Sequence, residues 1–91
     1  MPDNDAVQHA LARIGEQLRA GRRARYPKDT QGDFARRVGV SRYTWQKVEN
    51  GDAGVAVGTY LTAAELLGML DEVVAAFAPP RPPLFERELE R

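Results

Sequence analysis

Cysteine is absent from the 91 residues and histidine occurs once. A disulfide frame and a cysteine-based zinc site are therefore excluded, so stability has to come from helix packing or from a second copy of the chain. His9 has no carboxylate or second imidazole at metal-ligand spacing and reads as an exposed residue. Long hydrophobic runs are also missing. The apolar stretches fall far short of the roughly 18 residues that a membrane span needs, and the opening MPDNDAVQ is acidic and polar, unlike a signal peptide. The expected setting is a soluble, reducing, cytoplasmic one with no membrane partner. No nucleophile has a base beside it in the sequence, and GDAGVAVG lacks the Lys and the preceding strand of a phosphate-binding loop. Neither catalysis nor a cofactor nor a metal is expected.

A chain of this length is one domain's worth and buries only roughly 60 to 68% of the surface that its unfolded form exposes. The formal net charge is +0, but the charges are segregated. From Arg13 to Lys47 ten basic residues face three acidic ones (Glu16, Asp29, Asp33), whereas from Val48 to Arg91 eight acidic residues face three basic ones. Such asymmetry points to one surface suited to a polyanion and another that repels it; ordinary solvated helix faces are the plainer alternative.

Val7, Leu11, Ile14 and Leu18 recur at three- and four-residue steps, which predicts an amphipathic first helix over about Asp5 to Arg25. Tyr26-Pro27-Lys28-Asp29 ends it. Thr30, with Asp33 three residues on, has the form of a capping box and opens a short second helix that Gly39 stops. Ser41 caps a third helix running to Asn50, with Gly51 where a left-handed residue is favoured. Tyr60, Leu61, Ala64 and Leu67 mark a fourth helix; Leu70, Val73, Val74 and Phe77 mark a fifth. Nothing alternates with period two long enough to make a strand, so the expected fold is all-α. The expected domain is residues 1–78, followed by a Pro-rich acidic tail, 79–91. In that tail APPRPP matches PxxP twice and reads as an extended spacer, while LFERELER fits a helix end or a short strand equally well.

On a helical wheel of about 100° per residue, Arg42, Tyr43, Gln46, Lys47 and Asn50 fall within an arc of roughly 140°, and Ser41, Trp45 and Val48 gather opposite. The arc carries no acid. Its side chains are those that read base edges in a major groove: Arg or Lys for guanine, Gln or Asn for adenine, an aromatic ring against the thymine methyl.

With Gln31 as position one, Ala35 stands at five, Gly39 at nine, Val40 at ten, Trp45 at fifteen and Val48 at eighteen. The small residue lets two helices approach, the Gly permits the turn, and the apolar residues lock the second helix across the first. TQGDFARRVGVSRYTWQKVENGD thus resembles the motif of the lambda-repressor-like (XRE-type) helix-turn-helix proteins, and GVAVGTYLTAAELLGMLDEVV resembles their fourth and fifth helices. It departs in placing Trp45 where the family usually has Ile or Val, and in a longer YPKD loop. The resemblance implies a compact five-helix domain. It makes Arg42, Tyr43 and Lys47 base-contacting residues with Gln46 a candidate, puts Ser41 nearer the backbone, and has Gln31 grip a phosphate at a helix N-terminus. Lys28, Arg22, Arg23 and Arg25 would add phosphate contacts. It also pairs Glu49 with an Arg at the end of the first helix, Arg22, for which the plain alternative is a surface ion pair worth about 0 to 1 kcal/mol.

Two functions follow as expectations. One is a sequence-specific double-stranded DNA-binding regulator, a repressor acting as a homodimer through Leu70, Val73, Val74 and Phe77. The other is an antitoxin whose main work is to hold a toxin, because GDAGVAVGTYL…LLGML resembles the antitoxin branch that accompanies HipA-type kinases.

Overall fold

The computed structural model describes residues 4–80. They form five helices in chain order: α1 (Asn4–Arg25), α2 (Gln31–Val38), α3 (Arg42–Glu49), α4 (Val57–Leu66) and α5 (Leu70–Ala76). There is no strand among the described residues. The expected all-α, five-helix architecture is therefore what the described residues adopt. Residues 81–91, with most of the Pro-rich tail, lie outside the described residues.

Local chemistry sets the boundaries. The Thr30 hydroxyl accepts from the Asp33 backbone N–H at 3.1 Å while the Thr30 N–H donates to Asp33 Oδ2 at 2.9 Å, closing the capping box reciprocally. This donation from Thr30, followed by its side-chain bond and the nearby Arg36, holds the Asp33 carboxyl below its usual range. Gly39, at φ 92°, ends α2 in the left-handed region. Ser41 Oγ accepts from the Thr44 N–H at 3.1 Å and starts α3. At the far end Gly51 has φ 76°; its N–H donates to the Val48 carbonyl at 3.0 Å and that of Asp52 to the Lys47 carbonyl at 2.9 Å. This paired closure satisfies two carbonyls that the helix would otherwise leave open.

Ser41 corrects one expectation. It does not sit on the inward side of α3 with Trp45 and Val48; it is exposed, because as an extended N-cap (φ −71°, ψ 158°) it lies outside the helical wheel that placed it.

The core is small and centred on the helix-turn-helix: Leu18, Phe34, Ala35, Trp45, Val48, Ala63 and Leu67. Phe34 packs between Tyr26 and Trp45, with ring centroids at 5.6 Å and 4.8 Å, so three aromatics tie the α1–α2 loop to both motif helices. Arg37 stacks over Tyr26 at 4.2 Å and its Nε donates to Asp29 Oδ2 at 2.6 Å, which secures the longer loop. The predicted α1 stripe is only partly used. Leu18 is buried, but Val7 remains 52% and Ile14 42% exposed.

Candidate nucleic-acid interface

The third helix separates its residues as the wheel requires. Trp45 and Val48 are fully buried, whereas Arg42, Tyr43 and Asn50 are exposed and Gln46 and Lys47 are half-buried. Tyr43 is 69% exposed, a large aromatic held in solvent with the Lys47 ammonium 5.0 Å from its ring centroid. That stacking gives two of the arc's side chains a shared orientation.

Beneath the arc lies a polar relay centred on Glu49. Its Oε2 accepts from Arg22 Nε at 2.7 Å and from the Trp45 indole N–H at 2.6 Å; its Oε1 accepts from Gln31 Nε2 at 2.8 Å and from an Arg22 terminal nitrogen at 3.3 Å. Four donors meet a carboxylate with about four lone-pair positions. Burial works to raise the pKa of Glu49, but donation from Arg22, then Gln31, then the Arg22 charge and Trp45 outweigh it and leave the group below its ordinary range. The carboxylate therefore stays charged and fixes one helix each through Arg22 (α1), Gln31 (α2) and Trp45 (α3).

Gln31 carries the relay outward. With its amide nitrogen committed to Glu49, its oxygen accepts from Gln46 Nε2 at 3.4 Å. Gln46 is thus oriented with its own oxygen and one remaining N–H available, which is the donor–acceptor pair that matches adenine. Arg42 lies close by, its Cδ 3.7 Å from the position that a side chain on Gly32 would take. The structure therefore brings Gln31, Arg42 and Gln46 to one place at the junction of α2 and α3, where free backbone N–H groups favour an anion.

The Arg22-Arg23-Arg25 group does not form a cluster in space. Arg22 is withdrawn from the phosphate set: its side chain is 7% exposed and occupied by Glu49, so the pair is buried rather than the surface bridge of the plain alternative. Consecutive helical residues point about 100° apart, so Arg23 falls on another face of α1, beside Glu16, Arg19 and Ala20. Arg25 reaches toward Gly68, beyond the end of α4. Lys28 is exposed in the loop before α2, and Ser41 is exposed at the start of α3.

Gly15 escaped the sequence reading. A side chain there would meet the carbonyl oxygens of Glu49 and Val48, so its absence lets α1 cross against the end of α3. A Gly inside an amphipathic helix, one of the two in α1, was the available signal.

The helix-turn-helix domain family matches residues 13–77, a span that opens in α1 and closes just past α5. The chain belongs to the helix-turn-helix domain family. This membership supports DNA binding and a regulatory role, in keeping with the lambda-repressor-like resemblance of residues 30–52. No curated protein and no solved structure matches the chain. Among the described residues no helix is long and apolar enough to cross a membrane.

Proposed function

We propose that this helix-turn-helix protein is a sequence-specific double-stranded DNA-binding transcriptional regulator, a repressor that binds a pseudo-palindromic operator as a homodimer. The observation that carries the reading is the exposed, acid-free arc of α3 with Gln46 oriented by Gln31 beneath it. In this reading Arg42 and Lys47 contact guanine, Gln46 contacts adenine, and Tyr43 lies against a thymine methyl. Gln31, Ser41 and Lys28 contact phosphates and set the register; Arg23 and Arg25 add only to the positive field.

A single eight-residue recognition helix touches few bases, and a second copy doubles them, with half-sites about 34 to 36 Å apart. The face for that copy is α5, which buries none of its residues and leaves Val74 64% and Phe77 85% exposed beside the half-buried Leu70 and Val73. The same exposed face supports the antitoxin reading, in which affinity capture would return a kinase-type partner.

Selection of bound duplexes from a randomised DNA pool tests the main reading. The expected result is an enriched motif of two inverted half-sites centred about 10 to 10.5 bp apart. An unenriched pool would defeat it.

A further inference from the structure

An apolar groove of about 360 Å³ lies between α1, the 52–56 connection, α4 and α5. Leu11 and Ile14 form one wall, Val57 and Leu61 another, and Val73 and Phe77 close it on the α5 side. None of its lining residues belongs to α2 or α3, so filling it leaves the DNA-facing helix free. Three of these side chains are large and exposed: Ile14 at 42%, Val57 at 70% and Phe77 at 85%. A groove of this composition loses solvent-exposed apolar area whenever an apolar segment enters it.

We propose that the groove receives residues 84–89, LFEREL, from a second copy of this chain. Beyond Phe77 the only large apolar residues are Leu84, Phe85 and Leu89, all within that segment. Phe77 itself stands on the groove wall, so the chain leaves the domain at the place to be filled. Six residues, APPRPP, separate Phe77 from Leu84, and four of them are proline. Proline-rich sequence favours an extended backbone that advances about 3.1 Å per residue and resists reversal, so a spacer of this length and composition can span roughly 20 Å. That reach is long enough for the groove of a neighbour whose α5 packs alongside, and a stiff spacer disfavours the tight reversal that the chain's own groove would require.

Charge is mixed on both sides: the segment carries Glu86, Arg87 and Glu88, while the groove has Asp52 as the one acid among its lining residues, the exposed Arg13 beside Ile14 on α1, and the exposed Asp71 and Glu72 just before Val73 on α5. The inference rests on the dimer reading and deepens it: α5 brings the copies together, and the exchanged segments fasten them.

Because the chain has no cysteine, paired single substitutions report the exchange without background. Protein carrying Val57→Cys is mixed with protein carrying Glu86→Cys and oxidised, and linked peptides are identified by mass; Ile14→Cys replaces Val57→Cys as a second groove position. Sedimentation of the unsubstituted protein is measured in parallel. The expected result is a dimer, a 57–86 or 14–86 link between the two chains, and no link within one chain when the double variant Val57→Cys/Glu86→Cys is oxidised at high dilution. Removing residues 81–91 should then raise the dimer Kd about tenfold or more, the worth of burying one Leu or Phe. A dimer that gives no link at either groove position overturns the exchange and leaves the dimer reading standing. A link within single chains in the dilute double variant assigns the groove to the chain's own tail and likewise overturns it. Tail-dependent capture of a different protein without any link gives the groove to that partner, also against the proposal. A monomeric unsubstituted protein defeats the dimer reading and the exchange with it.

Discussion

Glu49 is the residue on which the site depends most. Removing Arg22 takes away two of its four donors and strands a buried carboxylate, a class of change that costs about 3 to 5 kcal/mol. Set against the ~5 to 15 kcal/mol of a typical domain, Arg22→Ala is expected to lower the unfolding midpoint sharply in a urea titration. A midpoint within error of the parent would show that the pair contributes nothing net. The pH dependence follows from the same group. Because the folded-state pKa of Glu49 lies below its unfolded value, its contribution is fully present above the unfolded Glu range near 4.3 and is lost as pH falls through the folded value. Stability of the parent should therefore drop on acidification below about pH 4, and Glu49→Gln should flatten that part of the profile. Trp45 explains why the relay has its fourth donor: an Ile or Val at this position would fill part of the volume but offer no N–H to Oε2.

Helix placement depends on contacts that a periodicity argument does not reach. Gly15→Ala should be favoured by intrinsic helix preference, by up to ~1 kcal/mol. Yet the added methyl meets the rigid carbonyls of Glu49 and Val48, the latter at 2.9 Å, and α1 must shift away from α3. The net expectation is destabilisation by about 1 to 3 kcal/mol, read from the denaturation midpoint, together with weaker DNA binding. A more stable Gly15→Ala protein would contradict the crossing. The helix boundaries themselves were legible in sequence, because Thr30 with Asp33, Gly39, Ser41 and Gly51 act on backbone groups within a few residues of themselves. What sequence did not reveal is set by distant chain segments: the approach of α1 at Gly15, the meeting of Gln31 with Gln46, and the burial of Arg22 away from its basic neighbours. The identity of the exposed arc on α3 was legible because burial of Trp45 and Val48 dictates which side faces out. The groove was hidden because the apolar stripe of α1 looks the same whether its upper half is packed or left bare.

At the scale of the molecule, the proposed reading assigns different tasks to two regions of a chain whose first half is basic and whose second half is acidic. The α2–α3 junction gathers the groups suited to DNA, while α5 and the groove beside it keep apolar surface that one copy does not cover. Val74→Glu, on the exposed face of α5, should give a well-folded monomer by light scattering with parent-like helicity. Its affinity for a two-half-site duplex should fall while its affinity for random DNA stays near that of the parent. A dimer undisturbed by this substitution would move the interface away from α5.

The most direct test of the account is a pair of equilibrium titrations for each of Arg42→Ala and Lys47→Ala, one on the selected duplex and one on random duplex at the same salt concentration. Base reading by the arc predicts a loss of about 1 to 3 kcal/mol on the selected site for each substitution, roughly five- to 150-fold in Kd, with little change on random DNA. Equal losses on both duplexes would contradict it, because they would place Arg42 and Lys47 on phosphates and leave α3 reading no sequence.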